Sequence, residues 1–331
     1  MKLKVAINGF GRIGRLTLRS IVERKVDNIE VVAINDLGDL KTNLHLLRYD
    51  SVHGTLDTSF TVNNENIEID KHNIQFLSEA NPDKLNWKEL EVDLVIECTG
   101  FFTKRSDAEK HINSGAKRVL ISAPAENPDL TVVYGINHQK INDNHKIISN
   151  GSCTTNCLAP LAHLIDDSIG IKSGYMTTVH SVTGDQKTID TVHKDLRRAR
   201  NSLISIIPTS TGAARAVSEV LPKLKGKLDG SAIRVPTVNV SLVDLKFVSD
   251  QQTNTEELNN LFISAEKNHF KKIIQTTKEP LVSNDFNHNP HSSIVDLNET
   301  KVINGNFCRI LAWYDNEWGF SNRLVDMAII L

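Results

Sequence analysis

The chain has 331 residues, with 38 Lys and Arg against 40 Asp and Glu, a formal net charge of −2. That balance gives no electrostatic footprint for nucleic acid or an anionic membrane, so neither is an expected partner. Four scattered cysteines exclude a disulfide framework, and no run approaches the roughly 18–20 apolar residues that span a bilayer.

Residues 3–8 read as a strand, followed by Gly9-Phe10-Gly11-Arg12-Ile13-Gly14. Residues 15–26 have helical apolar spacing, and 29–34 form a second strand that ends at Asn35-Asp36. This is a βαβ unit with a dinucleotide fingerprint. Gly9 permits the tight turn, Gly11 lets a pyrophosphate approach the helix N-terminus, and Gly14 allows close helix–strand packing. Asp36 can accept hydrogen bonds from ribose hydroxyls and would repel a 2′-phosphate, which points to NAD. Short β-rich runs follow at 60–62, 67–69, 92–97 and 118–122, with a helix over 106–114. Apolar strands alternating with helices predict a parallel sheet covered on both faces.

The pattern changes after Ser149-Asn150-Gly151-Ser152-Cys153. An apolar helix is predicted over 153–167, with Cys153 at its start. Free N–H groups and the helix dipole there favour a thiolate, the form that attacks carbon. Cys157, one turn on, reads as a small buried hydrophobe. Strands over 174–182, 231–235, 238–248 and 307–314 suggest a mixed or antiparallel sheet, with Asn304-Gly305 as a hairpin turn. The fold class is therefore α/β: a Rossmann-type parallel-sheet domain plus an α+β catalytic domain. The first domain is expected over 1–150, completed by a C-terminal helix over 315–331, and the second over 151–314.

A thiol nucleophile needs a base. His180 closes one predicted strand and opens a loop, so it is held yet reaches outward. His288-x-x-His291 contains Pro290 and lacks acidic or cysteine partners at ligand spacing, so no metal is expected. The basic run 193–200 reads as a solvated or subunit-contact segment, with an anion-binding arginine as the alternative. Pro208-Thr209-Ser210-Thr211-Gly212-Ala213 reads as a hydroxyl-rich loop entering a helix, which suits phosphate. Arg234 on its strand can supply a charge-assisted clamp.

Together these segments resemble phosphorylating glyceraldehyde-3-phosphate dehydrogenases. The resemblance runs in order from Asn8-Gly9-Phe10-Gly11 through Tyr49-Asp50-Ser51-Val52-His53-Gly54, the Cys153 and His180 segments and Leu224-Lys225-Gly226-Lys227-Leu228 to Trp313-Tyr314-Asp315-Asn316-Glu317-Trp318-Gly319. It implies a cytoplasmic, glycolytic homotetramer that oxidises D-glyceraldehyde 3-phosphate with NAD and inorganic phosphate. Cys153 would form the hemithioacetal and thioester, with His180 as base. Thr183, Arg198 and Arg234 would hold the substrate phosphate. Ser152, Thr154, Thr211 and Gly212 would serve the attacking phosphate. Asn8, Arg12, Ile13, Asp36, Thr99 and Ser122 would line the cofactor site, and Asn316 would grip the nicotinamide carboxamide. A loop over 185–204 would pack at a subunit interface.

The chain departs from the family pattern in places. Gly151 stands where alanine is usual, Val192 where proline is usual, Ala80 in place of a frequent arginine near the adenine, and Phe320 in place of tyrosine. Leu37 after Asp36 matches the NAD-using members, with NADP use left open by Val192. The rival within the fold is erythrose-4-phosphate dehydrogenase, which hydrolyses its thioester; Thr183-Gly184-Asp185-Gln186 and residues 208–214 resemble the glycolytic enzyme more. Aspartate-semialdehyde dehydrogenase shares the architecture but not the motifs. A binding protein that uses the scaffold without turnover would not need the Cys153 and His180 pair.

Overall fold

A computed structural model describes residues 2–63 and 66–331. The chain divides into two compact units, Met1–Ser152 with Ser321–Leu331, and Cys153–Phe320. Residues 315–320, read from sequence as part of the first domain, belong to the second unit.

In the first unit, strands Leu3–Asn8 and Leu94–Glu97 are almost wholly buried. Runs apolar on both faces need cover on both sides, which parallel βαβ connections supply. Among the described residues the sheet runs in the order Leu130–Thr131, Ile147–Ser149, Arg118–Ile121, Leu94–Glu97, Leu3–Asn8, Ile29–Asn35, His72–Leu77, Asn66–Ile69, Phe60–Asn63. The strands pair in parallel as far as His72–Leu77, and the last two are antiparallel. Helix α1 (Arg12–Glu23) buries Leu16, Leu18, Ile21 and Val22. Helix α2 (Leu40–Arg48), which the periodicity did not suggest, starts where the Asp39 carboxylate accepts from Thr42 N. Helix α3 (Arg105–Asn113) follows, and Ala6, Ala33, Val95, Val119 and Ile147 gather with Trp87 in one core cluster.

Leu3–Asn8 lies where the winding reverses: Ile29–Asn35 flanks it on one side and Leu94–Glu97 on the other. Ligands of open α/β sheets sit at the carboxyl ends of such strands. Here those ends are Asn8, Asn35 and Glu97.

The second unit carries a mixed sheet in the order Ile207–Ser210, Leu228–Arg234, Ile171–His180, Ser241–Ser249, Phe307–Tyr314, Ser293–Asp296, Ile274–Thr277, with Lys301–Ile303 on Phe307–Tyr314. Helices α4 (Cys153–Ile169), α5 (Ala213–Val220) and α6 (Thr255–Lys267) belong to this unit. Helix α7 (Trp318–Ile330) starts here and runs on into the first unit, where Arg24 pairs with Asp326 at 2.6 Å.

Three expectations shift. The strand predicted over 174–182 is Ile171–His180, so it stops at His180. The strand predicted from 238 starts at Ser241, because Val240 has φ +65° and breaks the extended run. Ile207–Ser210 is an edge strand rather than loop, and the edge tolerates Pro208, which has no N–H to give. The Asn304-Gly305 turn has φ of 50° and 74°, the left-handed pair that a tight hairpin requires.

Candidate active site

Cys153 is the first residue of α4, and its Sγ lies 3.5 Å from His180 Nε2. His180 is placed by the sheet. The strand Ile171–His180 pairs in parallel with Leu228–Arg234, in a register that sets His180 opposite Arg234. Arg234 Nη1 is 2.6 Å from His180 Nδ1 and donates to Ser181 O at 2.9 Å. His180 Nδ1 is also 2.7 Å from Ser181 O. Tyr314 packs edge-on against the imidazole at 6.0 Å, and its hydroxyl bridges Thr154 Oγ1 and Thr178 Oγ1.

Burial and charge act in opposite directions on the Cys153 thiol. Burial pushes the Cys153 thiol up, and the Arg234 charge and the hydrogen bonds of Thr154 offset this only in part. Burial, then the Arg234 charge, pushes His180 down to about 3. Desolvation of the sulfur acts against the helix N-terminus. Burial also pushes the Tyr314 phenol up, so it stays protonated.

The anion-binding candidates divide. Arg234 is half-buried, and its Nε, itself buried, has no hydrogen-bond partner among the described residues. Arg198 is already neutralised, donating to Asp185 Oδ2 and Thr209 Oγ1, both at 3.0 Å, with Asp195 at 3.7 Å. A phosphate at Arg198 would have to share it with those carboxylates. Thr183 O accepts from Gln186 N at 2.9 Å, which closes the turn after His180. Gly212 is the N-cap of α5, and Thr211 Oγ1 accepts from Ala213 N at 3.2 Å. Thr154 is buried with its hydroxyl on Tyr314 at 2.8 Å. Ser152 is half-buried and is counted with the first unit. Gly151 has φ +62°, a left-handed backbone where the usual alanine would be strained.

Asn316 is held by its oxygen, which accepts from Ser181 Oγ at 2.9 Å and Ser241 Oγ at 2.8 Å. That grip leaves Nδ2 as the donor end of the amide. The preceding Asp315 fixes the backbone. Its Oδ1 accepts from Glu317 N and Trp318 N at the start of α7, and its Oδ2 from Asn239 Nδ2 and His288 N. His288 stacks on Trp318 with ring centroids 3.8 Å apart.

In the first unit, a cavity of about 370 Å³ is lined by Asn8, Gly9, Gly11, Asp36 and Thr99, together with Leu37, Ala80, Cys98, Phe101 and Phe102 among others. The glycines divide by role. A Cβ on Gly9 would stand 2.6 Å from Thr99 N, and one on Gly14 2.1 Å from Gly9 O. A Cβ on Gly11 would meet nothing within 4 Å. The chain itself does not require Gly11, so the space above it suits a ligand. Gly11 is also the N-cap of α1 and gives no side-chain cap, so the first-turn N–H groups are left for another acceptor. Asp36 accepts from Phe10 N at 2.7 Å and Gly38 N at 2.8 Å, which ties the glycine turn to the second strand.

Other predicted cofactor residues act from below or beside the cavity. Asn8 donates to Glu97 Oε2 at 2.6 Å and accepts from Asn35 Nδ2 at 2.7 Å, so its side chain braces the floor. Arg12 pairs with Asp50 at 2.5 Å. Burial opposes ionisation of Asp50, but hydrogen bonds from His53 N, Arg12 and Val52 N hold its carboxyl below the usual range. Ile13 is half-buried in the first turn of α1, and Ser122 is half-buried with its N–H donating to Glu97 O.

A family model described as the glyceraldehyde 3-phosphate dehydrogenase NAD binding domain matches residues 3–105, and one described as the C-terminal domain matches 152–316. The chain is 56% identical over 331 residues to glyceraldehyde-3-phosphate dehydrogenase of Xanthobacter flavus, covering 100% of this chain and 99% of the relative. The chain belongs to the glyceraldehyde-3-phosphate dehydrogenase family. Relatives of that name from Cereibacter sphaeroides, 54% identical over 100% of this chain and 99% of the relative, and Bacillus subtilis, 52% identical over 99% and 98%, agree. The family's NAD binding domain makes NAD the cofactor, and these names do not favour the erythrose-4-phosphate alternative.

Family motifs did not point to several residues that shape the two sites. Phe101, 83% exposed, is an apolar wall of the cavity, opposite in kind to the polar Asp36 and Asn8 that also line it. Glu97 is buried, binding Asn8, His111 Nε2 at 3.2 Å and Thr99 N at 2.7 Å. Trp87 Nε1 donates to His111 Nδ1 at 3.0 Å. A charged residue inside an apolar strand run was the available signal for Glu97. Ser181 and Ser241 carried none.

Proposed function

We propose that this chain oxidises D-glyceraldehyde 3-phosphate with NAD and inorganic phosphate to 1,3-bisphosphoglycerate, the reaction its relatives are named for. The observation that carries the reading is Cys153 Sγ at 3.5 Å from His180 Nε2, with the half-buried Arg234 beside it. Cys153 Sγ attacks the aldehyde carbon, and its proton reaches the carbonyl oxygen through His180, giving a hemithioacetal. His180 then removes the hydroxyl proton as the carbon loses hydride, leaving a thioester. NAD, when bound, takes that hydride. Inorganic phosphate attacks the thioester carbon and releases Cys153 sulfur with the acyl phosphate. Oxyanion stabilisation comes from the Cys153 N–H and His180. A thioester keeps the oxidation energy that an ordinary ester would lose, which is the reason for sulfur here.

In this reading Arg234, with Thr183 and Arg198, holds the substrate phosphate, and Ser152, Thr154, Thr211 and Gly212 serve the attacking one. Gly9, Gly11, Asp36 and Thr99, with Asn8, Arg12, Ile13, Gly14 and Ser122 around them, hold the dinucleotide, and Asn316 Nδ2 its carboxamide. Absorbance at 340 nm with substrate and NAD, with and without phosphate, tests the activity. Sustained turnover without phosphate would replace the phosphorylating reaction with hydrolysis.

Asp36 gives a sharper test of cofactor choice. Asp36→Gly is expected to raise KM for NAD and to shift the NAD to NADP ratio of kcat/KM toward NADP by about 10-fold, the effect of losing a charged hydrogen-bond partner of roughly 1.5 kcal/mol. An unchanged ratio would show that Asp36 only braces the chain, through Phe10 N and Gly38 N.

We also propose that the chain works as a cytoplasmic homotetramer. Among the described residues no helix is long and apolar enough to cross a membrane. Ile189, Val192, Leu196, Ile204 and Ile206 are all at least 70% exposed along one loop, an apolar run that a neighbouring copy would cover. A light-scattering mass of one chain would remove the tetramer.

A further inference from the structure

Three strands that lie side by side in the mixed sheet meet at one end of it. Ile171–His180 stops just before Ser181, Phe307–Tyr314 stops two residues before Asn316, and the antiparallel strand between them starts there, at Ser241. The three side chains close on one another within the second unit. Ser241 Oγ accepts from Ser181 N at 3.1 Å, which leaves its own proton to give. That proton goes to Asn316 Oδ1 at 2.8 Å, and the Ser181 hydroxyl donates to the same oxygen at 2.9 Å. Two donors fill both lone pairs of Oδ1. Nδ2 has no hydrogen-bond partner among the described residues and is not one of their buried unpartnered atoms, so solvent reaches it.

We propose that Ser181 and Ser241 are positioning residues that lock the Asn316 amide with Nδ2 outward, so that this residue reads an acceptor oxygen and not an amino group. The proposal rests on the reading that Asn316 meets the carboxamide of NAD. A carboxamide carries both a carbonyl oxygen and an NH2, and an asparagine free to turn over serves either. With Oδ1 held, Asn316 serves the carbonyl alone.

Two observations support the lock beyond the distances to Oδ1. Turning the amide over would leave the Ser241 proton only the long 3.5 Å contact to Ser181 Oγ, and Asn316 is 5% exposed, so water could not make up the loss freely. The backbone before Ser241 is also strained. Val240 has φ +65°, a left-handed conformation that a β-branched residue rarely adopts. Such strain persists where the surroundings over-determine it, and Val240 is buried in a cluster with Phe286 and Ile294. On one side of Val240, Asn239 Nδ2 donates to Asp315 Oδ2 at 2.9 Å; on the other, Ser241 holds Asn316. One strained residue thus sets the two side chains that grip the consecutive pair Asp315-Asn316.

Calorimetric binding to the full-length chain tests this with three ligands: NAD, ADP-ribose, which lacks the nicotinamide, and 3-acetylpyridine adenine dinucleotide, which keeps the carbonyl but has methyl in place of NH2. The native chain is expected to bind the acetylpyridine analogue within about threefold of NAD, since Asn316 makes no use of the NH2. With Ser181→Ala and Ser241→Ala together, the Kd for NAD is expected to rise about tenfold and that for ADP-ribose to stay within about twofold, the pattern of one weakened contact to the nicotinamide. Asn316→Ala separates this proposal from the reading beneath it. If that change leaves the ratio of NAD to ADP-ribose affinity where it was, Asn316 does not meet the carboxamide and the lock falls with it. If it lowers the ratio and the double serine variant does not, Asn316 keeps its role and the lock alone is overturned. Equal losses for NAD and ADP-ribose in the serine variant would mark a general structural role and also overturn it. An analogue bound about tenfold or more weaker than NAD by the native chain would show that the NH2 is read and the amide faces the other way. Should the double variant not fold, that comparison on the native chain still decides.

Discussion

Cys153→Ala is expected to lower kcat by about 10⁴-fold or more, the scale of losing a covalent nucleophile, while NAD binding stays within about twofold. The sulfur is the one atom at this site able to bond the aldehyde carbon and leave again. Without it there is no hemithioacetal to give up a hydride and no thioester for phosphate to attack. The cavity with the dinucleotide fingerprint is built from residues of the first unit, from Asn8 to Phe102, and none of them depends on the Cys153 side chain. The change from thiol to methyl is small and falls at the first residue of α4. Two measurements check the prediction. Steady-state turnover should vanish, and NAD titration by quenching of intrinsic fluorescence should give an unchanged Kd. Acyl-enzyme mass should appear on the native chain after aldehyde, NAD and no phosphate, and be absent from the variant. Turnover retained in Cys153→Ala would remove the covalent mechanism.

How far the site was legible in the sequence depended on what held each residue. Gly9 and Gly14 could be read because their reasons are steric and local: each would push a Cβ into backbone. Gly11 could be read because its reason is a ligand, and the empty space above it fits that reason. Cys153 stood out through its helix-start context and His180 through its strand end, but neither position implies the other. Their meeting depends on the packing of α4 against the mixed sheet, which spacing along a chain does not encode. The partnership of His180 with Arg234 was hidden for a similar reason. It follows from a parallel register between strands separated by the loop, the edge strand and α5.

Burial was the part of the electrostatics that the sequence did not display. A helix N-terminus argues for a thiolate, but it is a modest effect that falls off within a turn. Burial of sulfur acts in the other direction and is invisible until the neighbours are known. The same applies to Asn316. Its motif position is evident, whereas the two serine hydroxyls that hold its oxygen come from strand ends far away in sequence. Missing α2 and α6 was avoidable, since Asp39 and Asn254 are ordinary N-caps, each accepting a backbone N–H three residues on.

His180→Gln is the second large effect, and it separates catalysis from stability. Loss of the base is expected to lower kcat by about 10²–10⁴-fold, because glutamine neither takes a thiol proton nor removes the hemithioacetal proton. Stability should move the other way in acid. The folded imidazole titrates at about 3, pushed down by burial and then by Arg234, whereas an unfolded histidine titrates near 6.5. Between those values the unfolded chain binds a proton that the folded chain does not. Stability from this residue is therefore complete above about pH 6.5 and is lost as pH falls toward 3. At pH 5 the loss is about 2 kcal/mol. His72 and His138, both also pushed down by burial, add to the native acid sensitivity, so the difference between native and variant isolates His180. Urea unfolding at pH 7.5 and pH 5 checks it: the native midpoint should fall more than that of His180→Gln, by the equivalent of about 2 kcal/mol. Equal acid losses would mean that His180 is charged in the folded chain, as the imidazolium partner of Cys153.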